Sequence, residues 1–99
     1  MEILHLTLKK KWFDLILSGK KTVEYREFKP YWKSRLYGRE FDEVHFRNGY
    51  GKNAPFMSVQ VVLIRVESHI NPENGEELTA DRYFAIYLGS VLVTKKGKE

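Results

Sequence analysis

The stretch Gly19-Lys20-Lys21-Thr22-Val23-Glu24-Tyr25-Arg26 places a lysine, a carboxylate and a guanidinium within a few residues, directly after an apolar segment with helical spacing. We expect Gly19 to end that helix in a left-handed conformation, with a strand following it. Because a strand alternates its faces, Glu24 and Arg26 share one face, and a regular strand would turn Lys21 to the other. Lys21 joins them only if the chain bends at the junction, where glycine permits a bend.

These residues have two interpretations. In the first, the side-chain tips of Lys21, Glu24 and Arg26 converge on a cavity, together with Thr22 on the same face of the strand. Alternatively, they lie on an ordinary solvated strand and form surface pairs worth less than about 1 kcal/mol each. The pattern alone leaves both open.

The hydrophobic pattern predicts further elements on both sides of this stretch. Leu4, Leu6 and Leu8 form the buried face of a first strand, and Trp12, Leu15 and Ile16 form one side of the helix. The predicted strands are 3–8, 22–28, 43–48, 56–67, 83–88 and 91–94, and the predicted helices are 9–18 and 31–37.

Two details of the later strands concern the shape of the sheet. In the long strand, Val59 and Val61 are out of phase with Val62 and the alternating apolar residues after it, which is typical of a β-bulge or a barrel corner. Gly89-Ser90 has the composition of a two-residue hairpin turn between the last two strands. Between these strands, segment 69–82 is polar, and we expect a helical turn to begin at Leu78-Thr79.

The composition is that of one globular domain spanning residues 1–99. No apolar run approaches the roughly 20 residues of a membrane span, so no membrane partner is expected. The absence of cysteine and of a signal-peptide pattern suits the cytoplasm. The net charge of +4 and 14% aromatic content favour an anionic partner with bases to stack, although we expect the basic tail 95–99 to be frayed. The sequence does not indicate an oligomeric state.

The candidate site residues follow from this stretch and from neighbouring loops. If the protein is an enzyme, Lys21 and Glu24 are the candidate catalytic pair, with a lysine whose protonation state the sequence leaves open. Glu73, Glu76 and Glu77 are equally good candidates for one further acid from the loop. The candidate substrate-binding residues are Lys20, Thr22, Arg26, Tyr31, Arg47, Asn48, Tyr50 and Lys52. No cofactor or metal is expected, because three scattered histidines without cysteine do not have zinc-ligand spacing.

The spacing of Gly19, Lys21, Glu24 and Arg26 resembles the G-x-K-x-x-E-x-R signature of the ASCH domain family. The flanking chain is also similar, with an apolar strand and helix before the motif and a Pro-Tyr-Trp segment after it. The resemblance implies an α+β fold: a small PUA-like β-barrel of about five to six mostly antiparallel strands with two short helices.

The family includes nucleic-acid-binding modules, ribonucleases, and amidohydrolases that deacetylate 4-acetylcytidine. In the amidohydrolases the catalytic set is the motif lysine, a threonine at the position of Glu24, and a glutamate from a later loop. The carboxylate of Glu24 therefore departs from that branch. We expect first a domain that binds RNA or a modified nucleoside. The alternatives are a small metal-independent hydrolase, either ribonuclease or amidohydrolase, and a protein-interaction adaptor.

Overall fold

The computed structural model describes residues 1–96, which form five strands and two short helices. None of the helices in this range is long and apolar enough to cross a membrane. In chain order the elements are β1 (Ile3–Leu8), α1 (Lys10–Leu17), β2 (Val23–Glu27), α2 (Pro30–Leu36), β3 (Glu43–Asn48), β4 (Phe56–Ser68) and β5 (Arg82–Lys95).

The strands form one sheet in the order β1-β3-β4-β5-β2, curled into a half-barrel. The β1–β3 pair is parallel, and the three other pairs are antiparallel. The expected α+β architecture with mostly antiparallel strands is therefore confirmed. The two longest strands, β4 and β5, pair along most of their lengths and form the middle of the curled sheet.

The sheet bends where the pairing of β4 with β5 shifts register. Val59 pairs with Val91 and Val61 with Leu88, so that Gly89 and Ser90 together lie opposite the single residue Gln60. A second shift leaves Val62 as an extra residue on β4 before Leu63. The bulge predicted from the change of phase in the long strand is confirmed, and bulges of this kind increase the local twist of a sheet.

The predicted hairpin at Gly89-Ser90 is wrong, because these residues lie inside one continuous strand. A bulge and a tight turn both favour glycine, so the composition did not distinguish them. A Cβ atom at Gly89 would lie 2.4 Å from the side-chain oxygen of Gln60, which shows how closely the two strands approach there. The helical turn expected at Leu78-Thr79 is also wrong, since neither residue has helical structure.

The core lies on the concave side of the sheet, beneath the two helices. It contains the predicted leucine face of β1, together with apolar side chains of β3, β4 and β5 such as Phe46, Met57 and Ile86. From α1 the buried residues are Phe13 and Ile16, whereas Trp12 is only partly buried against the core. Phe13 was not among the residues predicted to face inward.

Neither helix has a side-chain cap at its N-terminus, but α2 begins with a proline. Pro30 occupies the start of α2, where its missing N–H costs no helical hydrogen bond. Of the tail expected to be frayed, Lys95 is the last residue of β5 and pairs with Phe56. Residues 97–99 lie outside the described part of the chain.

Candidate functional site

The bend between α1 and β2 turns Lys21 towards the protein interior. Gly19 has a φ of +81°, and the backbone N–H groups of Lys20 and Lys21 both donate to the carbonyl of Leu15, at 3.0 and 3.1 Å. The chain therefore folds back against the end of the helix before β2 begins at Val23. As a result, the Lys21 side chain is only 3% exposed and lies beside Glu24.

Lys21, Glu24, Arg26 and Glu76 form a buried ion network. Lys21 Nζ lies 2.6 Å from Glu76 Oε2 and 3.6 Å from Glu24 Oε1. The other oxygen of Glu24 accepts hydrogen bonds from Arg26 Nε at 3.1 Å and Nη2 at 2.8 Å. Charges of opposite sign thus alternate through the network, which is the arrangement that buried ionic groups require.

Arg26 also connects the two edges of the half-barrel. Its Nη2 donates to the backbone carbonyl of Thr7 at 3.2 Å, so it joins β2 to β1. These strands lie at opposite ends of the sheet order and do not pair with each other. The guanidinium therefore links the two edge strands of the curled sheet and also orients Glu24.

The carboxyl group of Glu24 has an unusual environment. Its burial raises the pKa above the ordinary value, against the opposing effects of the Arg26 and Lys21 charges. A carboxyl group that retains its proton more readily than usual can give and take protons closer to neutral pH. The position is therefore suited to acid–base chemistry as well as to hydrogen bonding.

A cavity of about 370 Å³, here called the cleft, opens beside the ion network, whereas Lys21 itself lines a smaller cavity. Trp12 of α1 and Trp32 of α2 both line it, and they are the only tryptophans in the chain. The centre of the Trp12 ring lies 5.2 Å from Lys21 Nζ, and that of Trp32 lies 5.0 Å from Arg26 Cζ. The rings of Tyr25 and Tyr83 also line the cleft, as do Glu24, Arg26 and Glu76. It therefore combines aromatic surfaces with charged hydrogen-bonding groups.

Segment 69–82 supplies the acid that could not be identified from the sequence. Glu76 forms the close contact with Lys21, and Glu77 lines the cleft. Glu73 instead lines a smaller cavity of about 130 Å³ with Lys21 and Thr22. The segment is held in place by its own polar contacts. The Asn74 amide donates to the Lys20 carbonyl at 3.2 Å, and the Ala80 N–H donates to the Tyr83 hydroxyl at 2.7 Å.

The structure brings only some of the candidate binding residues to the cleft. Arg26 lines it, whereas Thr22 lines the smaller cavity and Lys20 is exposed. The other five candidates lie elsewhere: Tyr31 exposed on α2 beside Arg35, Arg47 and Lys52 on a separate cavity, Asn48 at the end of β3, and Tyr50 93% exposed in the following turn. The role of each as a binding residue stays a prediction.

Neither tryptophan was predicted as a site residue, because helical spacing favours packing in the core. Both do pack against the core, but both also line the cleft. Their positions on the helices just before and just after the motif strand were the available signal. Among residues 1–96, no three His, Cys, Asp or Glu side chains are arranged to hold a metal ion.

No protein-family model, curated protein or solved structure matches the chain. Its relation to the ASCH domains therefore stays a prediction from the sequence motif.

Proposed function

We propose that the chain is a PUA-like domain of the ASCH type that binds RNA or a modified nucleoside by accepting one base in the cleft. The observation that carries this proposal is that both tryptophans line one cavity together with three members of the buried ion network, Glu24, Arg26 and Glu76. The half-barrel architecture and the close approach of Lys21, Glu24 and Arg26 are compatible with the family resemblance.

The size and chemistry of the cleft suit a nucleobase. Its volume of about 370 Å³ lies at the lower end of the roughly 300–1,000 Å³ typical of small-molecule sites. An aromatic ring that stacks on a base contributes about 1–3 kcal/mol. Glu24 and Glu76 offer hydrogen-bond acceptors for the polar edge of the base, and the Arg26 guanidinium offers donors.

The ion network favours recognition of a base over recognition of a phosphate group. The cations Lys9 and Arg26 line the cleft together with four carboxylates, those of Glu24, Glu27, Glu76 and Glu77. The cleft therefore offers no excess positive charge. A phosphate would also have to approach Glu24 and Glu76 closely, at an electrostatic cost. An uncharged base is not repelled by these carboxylates and can form hydrogen bonds with them.

Tryptophan fluorescence tests the proposal, because every tryptophan signal arises from the cleft. We expect cytidine or 4-acetylcytidine to quench the emission saturably, and Trp32→Phe to weaken binding severalfold by reducing the stacking surface. Tyr37→Phe is the control, since this exposed ring does not line the cleft. The absence of saturable quenching by any nucleoside or by single-stranded RNA would reject the proposed binding site.

A hydrolase is the second candidate function, favoured by the 2.6 Å contact of Lys21 with Glu76 beside the raised pKa of Glu24. With 4-acetylcytidine, a water oxygen would bond to the acetyl carbonyl carbon as the carbon–nitrogen bond breaks. Glu24 would take a proton from the water, and Lys21 would supply one to the leaving amine through the Glu76 carboxylate that it contacts. The products are acetate and cytidine. In a ribonuclease the same pair would serve as base and acid at the phosphodiester.

Incubation of the purified protein with 4-acetylcytidine or RNA, with and without EDTA, separates the candidate functions. The hydrolase proposal expects products in both conditions, and loss of turnover in Lys21→Ala with the fold retained by circular dichroism. Unchanged turnover in this variant would remove Lys21 from the mechanism. Saturable binding without product supports a binding domain. If the protein neither binds nor converts these compounds, the protein-interaction adaptor is the remaining candidate.

A further inference from the structure

A cavity of about 490 Å³, separate from the cleft and from the smaller cavity beside Lys21, lies between the β3–β4 turn and the end of β5. Arg47 of β3, Lys52 of the turn, and Lys95 and Lys96 at the end of β5 all line it, beside the ring of Phe56. We call this the basic cavity. Residues far apart in the chain meet there because β4 pairs with β3 on one side and with the end of β5 on the other, at Phe56.

The basic cavity differs from the cleft in its charge balance. Its lining contains four cations and no carboxylate, and among residues 1–96 none of the four cations lies within 4.0 Å of an acidic side chain. In the cleft, by contrast, the two lining cations are outnumbered by four lining carboxylates. A concave surface lined by charges of one sign concentrates its electrostatic potential and attracts a ligand of opposite charge. The unpaired cations therefore favour a ligand with several negative charges.

The basic cavity and the cleft are connected through β1. Arg47 pairs with Thr7 across the β1–β3 ladder, where adjacent strands lie about 4.8 Å apart. Thr7 in turn lines the cleft, and its carbonyl accepts the hydrogen bond from Arg26. Lys9, the residue just after β1, also lines the cleft and is exposed. A chain-like ligand that leaves the cleft across β1 would therefore reach Arg47 next.

We propose that the basic cavity binds the phosphate backbone of a single-stranded RNA whose neighbouring base occupies the cleft. The identity of this polymer rests on the proposed function, whereas the anion site itself rests on the four cations. The two cavities differ in charge: the cleft, in which carboxylates outnumber cations, selects the base, and the basic cavity holds the backbone. The Phe56 ring, with the Arg47 guanidinium carbon 5.9 Å from its centre, offers an adjoining surface for a second base or ribose.

The test uses a fluorescein-labelled RNA of ten uridines and free uridine, measured by anisotropy and by tryptophan quenching. The variant Arg47→Gln/Lys52→Gln removes two cations from the basic cavity. The control Lys10→Gln/Lys33→Gln removes the same charge from exposed helix residues that line neither cavity. The cavity variant should raise the Kd for RNA about tenfold or more at 50 mM salt and change the Kd for uridine less than twofold. Its log Kd–log salt slope should fall by about 1.4, since each phosphate contact to a single strand contributes about 0.7.

The outcomes distinguish this inference from the proposed function. If uridine quenches tryptophan but the cavity variant binds RNA as well as the control variant does, the backbone site is wrong and the base site stands. If RNA binding is lost from the cavity variant but no nucleoside enters the cleft, the backbone site stands and the proposed base site is wrong. Failure of the unaltered protein to bind the RNA would overturn the inference. Equal competition by inorganic polyphosphate, counted per phosphate, would overturn its restriction to RNA.

Discussion

The pair Lys21–Glu76 should contribute much more to stability than the equally short pair Lys10–Asp14. The two nitrogen–oxygen distances are 2.6 and 2.5 Å, so the geometry is matched. The side chains of the first pair are 3% and 14% exposed, and those of the second are 78% and 51% exposed. The comparison therefore isolates the effect of burial on an ion pair at nearly constant distance.

The expected size follows from what each substitution leaves behind. Removal of one member of a buried pair typically costs 3–5 kcal/mol, because the other charge stays buried without compensation. In Lys21→Met, however, Glu24 keeps Arg26 and the partly exposed Glu76 can recruit water. We therefore expect a loss at the lower end, about 3 kcal/mol. The exposed pair should contribute about 0.3–0.5 kcal/mol.

Two double-mutant cycles measure these couplings, one with Lys21→Met and Glu76→Leu, the other with Lys10→Met and Asp14→Leu. Urea unfolding followed by far-ultraviolet circular dichroism gives the free energy of unfolding for each protein. We expect a coupling of about 2 kcal/mol for the buried pair that persists in 0.5 M salt, while the exposed pair loses its small coupling to screening. Equal couplings in the two cycles would refute the inference that Lys21 is enclosed in an ion network.

Three further perturbations test separate features. Gly19→Ala should lower the free energy of unfolding by about 1 kcal/mol because φ is +81°, whereas Gly51→Ala, also without nearby atoms but not at positive φ, should be neutral or slightly stabilising in the same urea assay. Because the folded-state pKa of Glu24 is raised, the stability that this group contributes is fully present below the unfolded pKa near 4.5. It is lost as pH rises through the folded pKa. The wild-type protein should therefore lose free energy of unfolding relative to Glu24→Gln between about pH 4 and 8, and a relative gain would contradict the shift. The Tyr87 hydroxyl is the main cause of the lowered pKa of Glu67, so Tyr87→Phe should move the Glu67 titration upward in carbon-detected NMR, and an unchanged midpoint would exclude that hydrogen bond.

Features set by short-range pattern could be predicted from the sequence. Alternation placed Leu4, Leu6 and Leu8 in the core, and the change of phase after Val61 located the bulge. The position of Gly19 also showed what would bring Lys21 beside Glu24, namely a bend of the backbone at the end of the helix. That condition is local, because it depends on one glycine and on hydrogen bonds to the last turn of α1.

Features that depend on packing between distant segments could not be predicted. The choice of Glu76 over Glu73 and Glu77 depends on how segment 69–82 lies against β2, and the three acids are equivalent in composition. Helical periodicity gives the inward side of α1, but it does not show that Trp12 sits at the border between core and cavity. Glycine at position 89 permits the close approach of β4 and β5, but glycine is equally common in turns, so its presence did not show which of the two forms there.

The separation of Arg47 and Lys52 from the cleft is a further consequence of topology. Both were predicted to bind the same ligand as Arg26. In the sheet, β3 lies next to β1, while β2 lies at the far edge and meets β1 only through the curl of the half-barrel. Strand order is not encoded in any single segment, so the sequence could not show that the cations form two groups.

The most direct measurement is a nitrogen-15 heteronuclear correlation spectrum, in which the chain has only two indole N–H signals, from Trp12 and Trp32. Addition of 4-acetylcytidine or cytidine should shift both indole signals along one saturable curve, because both rings line the same cavity. If both signals stay in place at millimolar nucleoside while the rest of the spectrum shows a folded protein, the cleft does not receive a base.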